Sequence, residues 1–320
     1  MPIASNVDFI LVMDKFIFHW NKTDPGLKLS EGDVAVTFAN FEALRDDLDE
    51  SKTTLQGKLN DWEGARVHLD QLRQSIGDRI AEFNRRIRAE FPNKPDFNRL
   101  PDVPNRNAGR DAFLNALDDM INLWGRVNGL PPTPVFTAPL LLREGLSRDQ
   151  ALALRADLDA AFTARGNAEK ALGSQRLARD TFQDRARTLM VRYRAKIEAL
   201  YALDSAEVAT LPKVTPAQGS TPDAVELTAG WSPTEQGAEL SWTASENPDL
   251  ASYQIRYVPG PDYLSADEAP LATIPPGAPL IFQTPAGFPD PGSARSYKVY
   301  VRLTTGHEAG SEAKTVFRPA

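Results

Sequence analysis

The sequence contains no cysteine among its 320 residues. Disulfide bonds, thiolate metal sites and cysteine nucleophiles are therefore excluded, although any redox compartment remains possible. Histidine is scarce as well, with His19, His68 and His307 scattered along the chain. Acid–base catalysis would therefore have to depend on aspartate, glutamate or tyrosine. We expect His19, which lies beside a tryptophan in an apolar segment, to be a packed or capping residue.

Signature motifs of common catalytic and cofactor sites are also absent. The chain has no G-x-S-x-G, H-E-x-x-H, P-loop or dinucleotide-binding glycine motif. One acidic cluster is a candidate metal site by composition alone: Asp46, Asp47, Asp49 and Glu50. Successive helical residues point about 100° apart, so these carboxylates do not converge, and the glycine of a calcium loop is missing. We therefore predict a protein that is not an enzyme, without catalytic, cofactor-binding or metal sites.

No apolar run approaches the roughly 20 residues that cross a bilayer. The N-terminal segment MPIASNVDFILVMDKFIFHW lacks a basic region, and Asp14 and Lys15 interrupt its apolar stretch. It therefore does not match a Sec signal. We expect a cytoplasmic protein by default; the alternative is an extracellular or cell-surface assembly reached by a non-Sec route.

Negative charge is concentrated near the C-terminus. The chain has a net charge of −7, and from Thr221 onward it carries 12 acidic and 6 basic residues. A nucleic-acid-binding face should be basic, so we do not expect a nucleic-acid partner. Two groups of arginines are typical of solvated faces near the ends of helices: Arg85, Arg86 and Arg88, and Arg185, Arg187, Arg192 and Arg194.

The main positive feature is a long amphipathic segment that occurs twice. Residues 43–91 carry apolar residues spaced mostly by three or four without an internal proline, which predicts one long helix. The same pattern returns at 153–201, shifted by 110 positions. Any two amphipathic helices align by their apolar stripes, so the segments alone leave coincidence open. Identities across the shift include Leu44/Leu154, Arg45/Arg155, Leu48/Leu158, Arg66/Arg176 and Asp70/Asp180.

The flanking segments favour a tandem duplication. Phe9, Asp14, Ile17 and Trp20 of a predicted short helix over 6–20 correspond to Phe113, Asp118, Ile121 and Trp124. The connector LKLSEG (27–32) corresponds to LLLREG (140–145), and a Leu-Pro-x-Val exit follows each long segment. Ser147-x-x-Gln150 further predicts a capping box for the second long helix. We therefore predict two repeats, each with a short helix, a connector, a long helix and an extended exit.

These elements predict a protein with helical and β domains. Helical repeats at 1–105 and 106–210 would together form an antiparallel four-helix bundle with coiled-coil-like packing. Residues 211–222, rich in Pro, Gly, Ser and Thr, predict a linker. Residues 223–320 contain about seven short alternating segments, which is typical of a β-sandwich.

The C-terminal segments AELSWTASENPDLASYQIRYVPG and SYKVYVRLTTGHEAGSEAKTVF resemble strands B–C and F–G of a fibronectin type III domain. The resemblance implies Trp242 in the core of strand B, Tyr253, Ile255 and Tyr257 on strand C, and residues 297–301 on strand F. The chain departs from the family before strand F and in the Pro-rich segment 260–279. The family implies a spacer or a protein- or glycan-binding role and provides no catalytic residue.

Two functions remain open. In the first, a structural or assembly protein associates with itself or another protein through helical faces near residues 6–20 and displays the sandwich. The unusually apolar first helix favours this hypothesis. In the second, the sandwich binds a protein or glycan and the bundle is a rigid spacer. Exposed aromatic residues such as Trp231 or Tyr263 would then form a patch.

Overall fold

The computed structural model describes residues 5–92, 97, 99–132, 136–215 and 221–319. The N-terminal part is helical, with a 3₁₀ turn at Asn6–Asp8 followed by α1 (Phe9–Thr23), α2 (Phe38–Glu90), α3 (Arg110–Asn128), α4 (Arg148–Leu200) and α5 (Ala206–Ala209). No described helix is both long enough and apolar enough to cross a membrane. The C-terminal part is made of antiparallel sheets.

The bounds of the long helices agree with the predicted repeat. Helices α2 and α4 each contain 53 residues, and both their starts and their ends are 110 positions apart. The predicted capping box at α4 is present, with the Ser147 amide donating to Gln150 Oε1 at 2.7 Å and the Gln150 amide donating to Ser147 Oγ at 3.3 Å. Reciprocal bonds join Thr37 and Asn40, 110 positions earlier. Helix α2 therefore begins five residues before its predicted start.

One helical core surrounds α1. Its buried apolar residues come from α1, from the beginning of α2 and from the end of α4. Trp20 is fully buried and stacks on Tyr193, with ring centroids 4.8 Å apart. Arg45 of α2 donates to Asp14 of α1 at 2.8 Å. The core also includes Leu211 and Val214, so the beginning of the predicted linker packs on the helices; residues 216–220 of that linker lie outside the described part.

A second helical core surrounds α3 and repeats this arrangement. Its residues come from α3, from the C-terminal part of α2 and from the N-terminal part of α4. The buried Trp124 packs against Phe83 at 5.3 Å, and Arg155 donates to Asp118 at 2.5 Å. Phe83 and Tyr193 are 110 positions apart, as are Arg45 and Arg155. Each short helix therefore packs on the long helices of both repeats.

The predicted single four-helix bundle is not confirmed, because the buried apolar residues of the described helices form separate clusters. Two of these clusters contain one short helix each, and a third, smaller cluster joins Leu55 and Leu59 of α2 to Leu172 of α4. Compact units divide the chain differently from the repeats: one comprises residues 1–63 and 171–320, the other residues 64–170. The first unit thus joins helical segments of both repeats to the β-rich C-terminal part. The repeat boundaries at 105/106 and 210/211 remain predictions from the sequence.

The first connector contains a small hairpin that the sequence did not predict. Strands β1 (Leu29–Glu31) and β2 (Val34–Val36) pair antiparallel around Gly32, which has a φ of +62°. This left-handed conformation favours glycine. The corresponding part of the second repeat is a 3₁₀ turn at Arg143–Gly145.

The C-terminal part contains two antiparallel sheets. One has the order β3 (Leu227–Ser232), β4 (Gly237–Trp242) and β7 (Ile281–Thr284). The other has the order β10 (Lys314–Phe317), β8 (Ala294–Leu303), β5 (Leu250–Pro259) and β6 (Ala269–Ile274), with β9 (Glu308–Gly310) also paired to β8. The Pro-rich segment 260–279, in which the sequence departs from the fibronectin type III pattern, contains strand β6.

The core between the sheets contains the residues expected there. Trp242 on β4, Tyr253 and Ile255 on β5, and Tyr297 and Val299 on β8 are buried together. Tyr257 packs on the edge of this cluster. These placements agree with the strands that the fibronectin type III resemblance implies.

Candidate functional site: the junction of sheet and helices

The central strands of the larger sheet, β5 and β8, are buried on both faces. Along β8, the side chains of Val299 and Val301 belong to the sandwich core, whereas the alternate residues Tyr300 and Arg302 point to the opposite face and are also buried. On β5, Gln254 and Arg256 are likewise buried. Asp8 of the 3₁₀ turn contacts Arg302 on this polar face, and residues of α2 and α4 contact the adjoining β5–β6 connection. We call this contact the junction; all of it lies within the compact unit formed by residues 1–63 and 171–320.

A chain of buried ion pairs crosses the junction. Asp8 accepts a hydrogen bond from Arg302 at 2.7 Å, and Arg302 lies 3.3 Å from Glu308. Glu308 is bound by Arg256 at 2.6 Å, and Arg256 also binds Glu268 at 2.7 Å. Arg256 has no exposed surface. Burial by itself lowers the pKa of Arg256, but the hydrogen bonds and charges of Glu308 and Glu268 outweigh burial and raise this pKa above its ordinary value.

Two tyrosines complete the hydrogen bonding of Glu268. The hydroxyls of Tyr263 and Tyr300 each donate to Glu268 Oε2 at 2.7 Å. Burial, followed by the negative charge of Glu268, raises the pKa of Tyr300 to about 12 and that of Tyr263 further above its usual range. Both phenols therefore stay protonated near neutral pH. They act as hydrogen-bond donors to a buried carboxylate, not as bases.

The β5–β6 connection inserts a second carboxylate between the helices. The side chain of Asp267 has no exposed surface and contacts Arg176 and Arg179 of α4. Its backbone carbonyl accepts from Gln56 of α2 at 3.0 Å. The Arg179 side chain, only 3% exposed, also binds Asp180 at 2.7 Å. Because a buried charge without a partner is costly, these arginines stabilise the inserted carboxylate.

A close backbone approach forms the third contact of the junction. Gly260 has a φ of +94°, and a Cβ atom there would lie 2.9 Å from the Trp62 ring. Next to it, the Ala294 amide donates to Glu63 Oε1 at 2.9 Å. Gly260 is therefore required both by its left-handed conformation and by the space that Trp62 occupies.

The junction uses one position at which the two repeats differ and one that they share. Arg179 stands 110 positions after Leu69, which is buried in the α3 core. Arg66 binds Asp70 within α2 at 2.9 Å, whereas its identical counterpart Arg176 binds Asp267 of the sandwich. A comparison of the repeats could therefore have located Arg179 from the sequence, but not Arg176.

The histidines and the acidic cluster considered from the sequence have the following places in the fold. His19 is buried, with Nδ1 2.7 Å from the Tyr193 hydroxyl and Nε2 2.9 Å from the Glu207 carbonyl oxygen, so it is packed as expected. His68 is exposed on α2, and His307 lies between β8 and β9. The acids at 46, 47, 49 and 50 all lie on exposed positions of α2. Among the described residues, no group of three or more acids or histidines could hold a metal ion.

The two aromatic residues that would mark a ligand-binding sandwich are half-buried. Trp231 packs edge-on against Phe288 at 5.2 Å, and Tyr263 binds Glu268 in the junction. The two residues therefore belong to different clusters, each with its own intramolecular contacts.

The second group of arginines also has intramolecular contacts. Arg185 binds Glu31 at 2.8 Å, Arg192 donates to the Ser30 carbonyl at 2.6 Å, and Arg194 donates to the Pro212 carbonyl at 2.6 Å. The guanidinium of Arg187 lies over the Phe9 ring at 5.5 Å. These arginines hold neighbouring segments against α4.

Comparison with known proteins yields partial structural similarity alone. No family model and no curated protein matches the chain. An Fn3-like protein from Clostridium thermocellum is 21% identical, with 32% of this chain and 97% of that chain covered and a TM-score of 0.24. Pectate lyase PelI from Erwinia chrysanthemi, in complex with tetragalacturonic acid, is 16% identical over 29% of this chain, with a TM-score of 0.25. Pectate lyase Pel3 from Pectobacterium carotovorum is 13% identical over 28% of this chain, with a TM-score of 0.24.

In each lyase comparison, the matched region is a small part of both chains. The chain spans 28% of the PelI chain and 26% of the Pel3 chain. We take no activity or ligand from these similarities.

Proposed function

We propose that this protein is a non-enzymatic structural or assembly subunit. In this proposal a helical bundle built from a tandem duplication associates with a second copy through the outer face of α1. A fibronectin type III-like sandwich is held on the helical segments of the first compact unit, residues 1–63 and 171–320. The support for this attachment is the junction, in which Asp267 and Arg256 have no exposed side-chain surface and each is bound by oppositely charged partners.

The observation that carries the proposal is an apolar pair on the outer face of α1. Leu11 is 47% exposed and Phe18 is 71% exposed. They lie seven positions apart in the sequence and therefore on the same side of the helix, two turns apart. The buried residues of α1, including Val12, Phe16 and Trp20, belong to its other side.

The second repeat provides an internal comparison for this face. In the correspondence that pairs Trp20 with Trp124, the counterparts of Leu11 and Phe18 are Asn115 and Asn122, and both asparagines are exposed. The fold therefore accepts polar residues at these positions. Because apolar residues there contribute little to folding, we attribute them to contact with another molecule. A second copy fits best, because the net charge of the helical part is near neutral and so opposes close approach only weakly.

The test replaces Leu11 and Phe18 of the first repeat by the asparagines that stand at the corresponding positions of the second repeat. We compare the wild-type chain with L11N/F18N by sedimentation velocity over a hundredfold range of concentration, using L152N, another exposed leucine at 41%, as the matched control. The masses derived from sedimentation should exceed 35.2 kDa, the mass of one chain, for wild type and L152N. The mass derived for L11N/F18N should be that of one chain. An L11N/F18N variant that assembles like wild type would refute this placement.

The alternative, a protein- or glycan-binding sandwich with the bundle as a spacer, lacks a comparable observation. Its expected exposed aromatic residues, Trp231 and Tyr263, are engaged in intramolecular contacts. A strictly monomeric wild-type chain would favour this alternative.

A further inference from the structure

A cleft of about 320 Å³ lies at the junction. The 3₁₀ turn and α1 contribute Asn6 and Ile10, α2 contributes Lys52, and the beginning of β6 contributes Ala269 and Pro270. This volume is at the lower end of the range of small-molecule sites. The cleft is therefore large enough for a compact organic molecule, and its wall is partly apolar.

The amine of Lys52 is held at the wall of this cleft. Its Nζ donates to the Asn6 carbonyl oxygen at 2.6 Å. Four charged groups act on the amine: Asp8 and Asp49 favour its protonated form, whereas Arg179 and Arg256 disfavour it. Burial is the largest influence and lowers the pKa of Lys52 to about 8. A substantial fraction of the amine is therefore uncharged under mildly alkaline conditions, unlike an exposed lysine.

The fold does not require an amine at this helical position. The counterpart of Lys52 in the second repeat is Phe162, which is half-buried against the α3 core. An apolar side chain thus occupies the equivalent place on α4.

We propose that Lys52 is a reactive amine that captures a small aldehyde or ketone in this cleft as an imine. The Nζ lone pair attacks the carbonyl carbon, a C–N bond forms, and a proton passes from nitrogen to oxygen through solvent. The resulting hydroxyl then leaves with a proton as water while the C=N bond forms. The step is redox-neutral, and desolvated lysines are known to act in this way. Ile10, Leu55, Ala269 and Pro270 would contact the carbon chain of the ligand.

The test measures which lysines react in the intact protein. Full-length protein is treated at pH 8 with propanal or benzaldehyde and sodium cyanoborohydride, which reduces the imine, and labelled lysines are quantified by peptide mass spectrometry. At this pH about half of an amine with a pKa near 8 is uncharged, about a hundredfold more than for a lysine with an ordinary pKa. We expect Lys52 to react at least about tenfold faster than the exposed Lys22 and Lys28, allowing for the lower nucleophilicity of a less basic amine.

Two variants separate capture in the cleft from general reactivity. K52R should remove the label at this position without changing labelling at Lys22 and Lys28. A269F should fill the cleft and slow labelling at Lys52 alone, provided that circular dichroism shows an unchanged fold. Equal or slower labelling of Lys52 in the wild-type protein would overturn the proposal, and this result does not depend on how the variants fold. The proposal is independent of self-association, because the cleft and the outer face of α1 are probed separately.

Discussion

The buried carboxylate of Asp267 allows a direct test of how firmly the sandwich is held on the helices. Replacing it by asparagine keeps the size of the side chain but removes the charge that binds Arg176 and Arg179. Breaking a buried ion pair by removing one partner costs about 3–5 kcal/mol. In D267N, Arg179 would still form its ion pair with Asp180, and the Arg176 side chain, a third of which is exposed, would be in contact with solvent. We therefore expect D267N to lower the free energy of unfolding by about 2–4 kcal/mol.

Equilibrium urea unfolding of D267N and wild type would measure this loss. Hydrogen exchange would locate it, because loss of docking should speed exchange at the Ala294 amide, which donates to Glu63 across the junction. D262N is the matched control, since Asp262 is an exposed aspartate in the same β5–β6 connection. We expect it to stay within about 0.5 kcal/mol of wild type.

A double-mutant cycle would show whether the pair itself is responsible. R179L introduces the residue that stands at the equivalent position, Leu69. Combined with D267N, it removes both members of the Asp267–Arg179 pair, so the combined loss should be smaller than the sum of the single losses by about 1–3 kcal/mol. A D267N variant as stable as wild type, with unchanged exchange at Ala294, would refute the view that these charges fix the sandwich.

Two further predictions concern the same junction. G260A should lower the free energy of unfolding by about 1–3 kcal/mol, since Cβ would approach the Trp62 ring to 2.9 Å at a positive φ. The control is G277A, because Gly277 has a positive φ but open space around it, so that this variant measures backbone strain without the clash. Equal losses of stability in the two variants would contradict the contact with Trp62. Burial lowers the folded pKa of Lys52 to about 8, so the unfolded chain binds more protons than the folded chain between about pH 8 and 10.4. The free energy of unfolding of wild type relative to K52M should therefore rise with pH across that window. Urea unfolding of both proteins at several pH values measures this difference. A difference in unfolding free energy that does not change with pH would contradict the assigned pKa.

The long helices could be predicted because they depend on local patterns. Apolar spacing located α2 and α4 to within five residues, and Ser147 with Gln150 marked the start of α4. The start of α2 was missed because Asn40 stands where a capping box usually has glutamate or glutamine. The correspondence of Trp20 with Trp124 agrees with the structure, in which both are fully buried, each in its own core.

The junction could not be predicted from the same patterns. Strand alternation marks Tyr300 and Arg302 as solvent-facing, and they are buried because helical residues cover that face of the sheet. Arg302 and Asp8 are 294 positions apart in sequence, so no local spacing relates them. The exposure of Leu11 and Phe18 also required the structure, because an apolar helix alone does not show which side is already covered.

Absolute mass in solution, measured by light scattering on the wild-type chain over a hundredfold range of concentration, tests the proposed assembly most directly. The proposal predicts a mass above 35.2 kDa, either as a discrete oligomer or increasing with concentration. A mass of one chain throughout that range would contradict it.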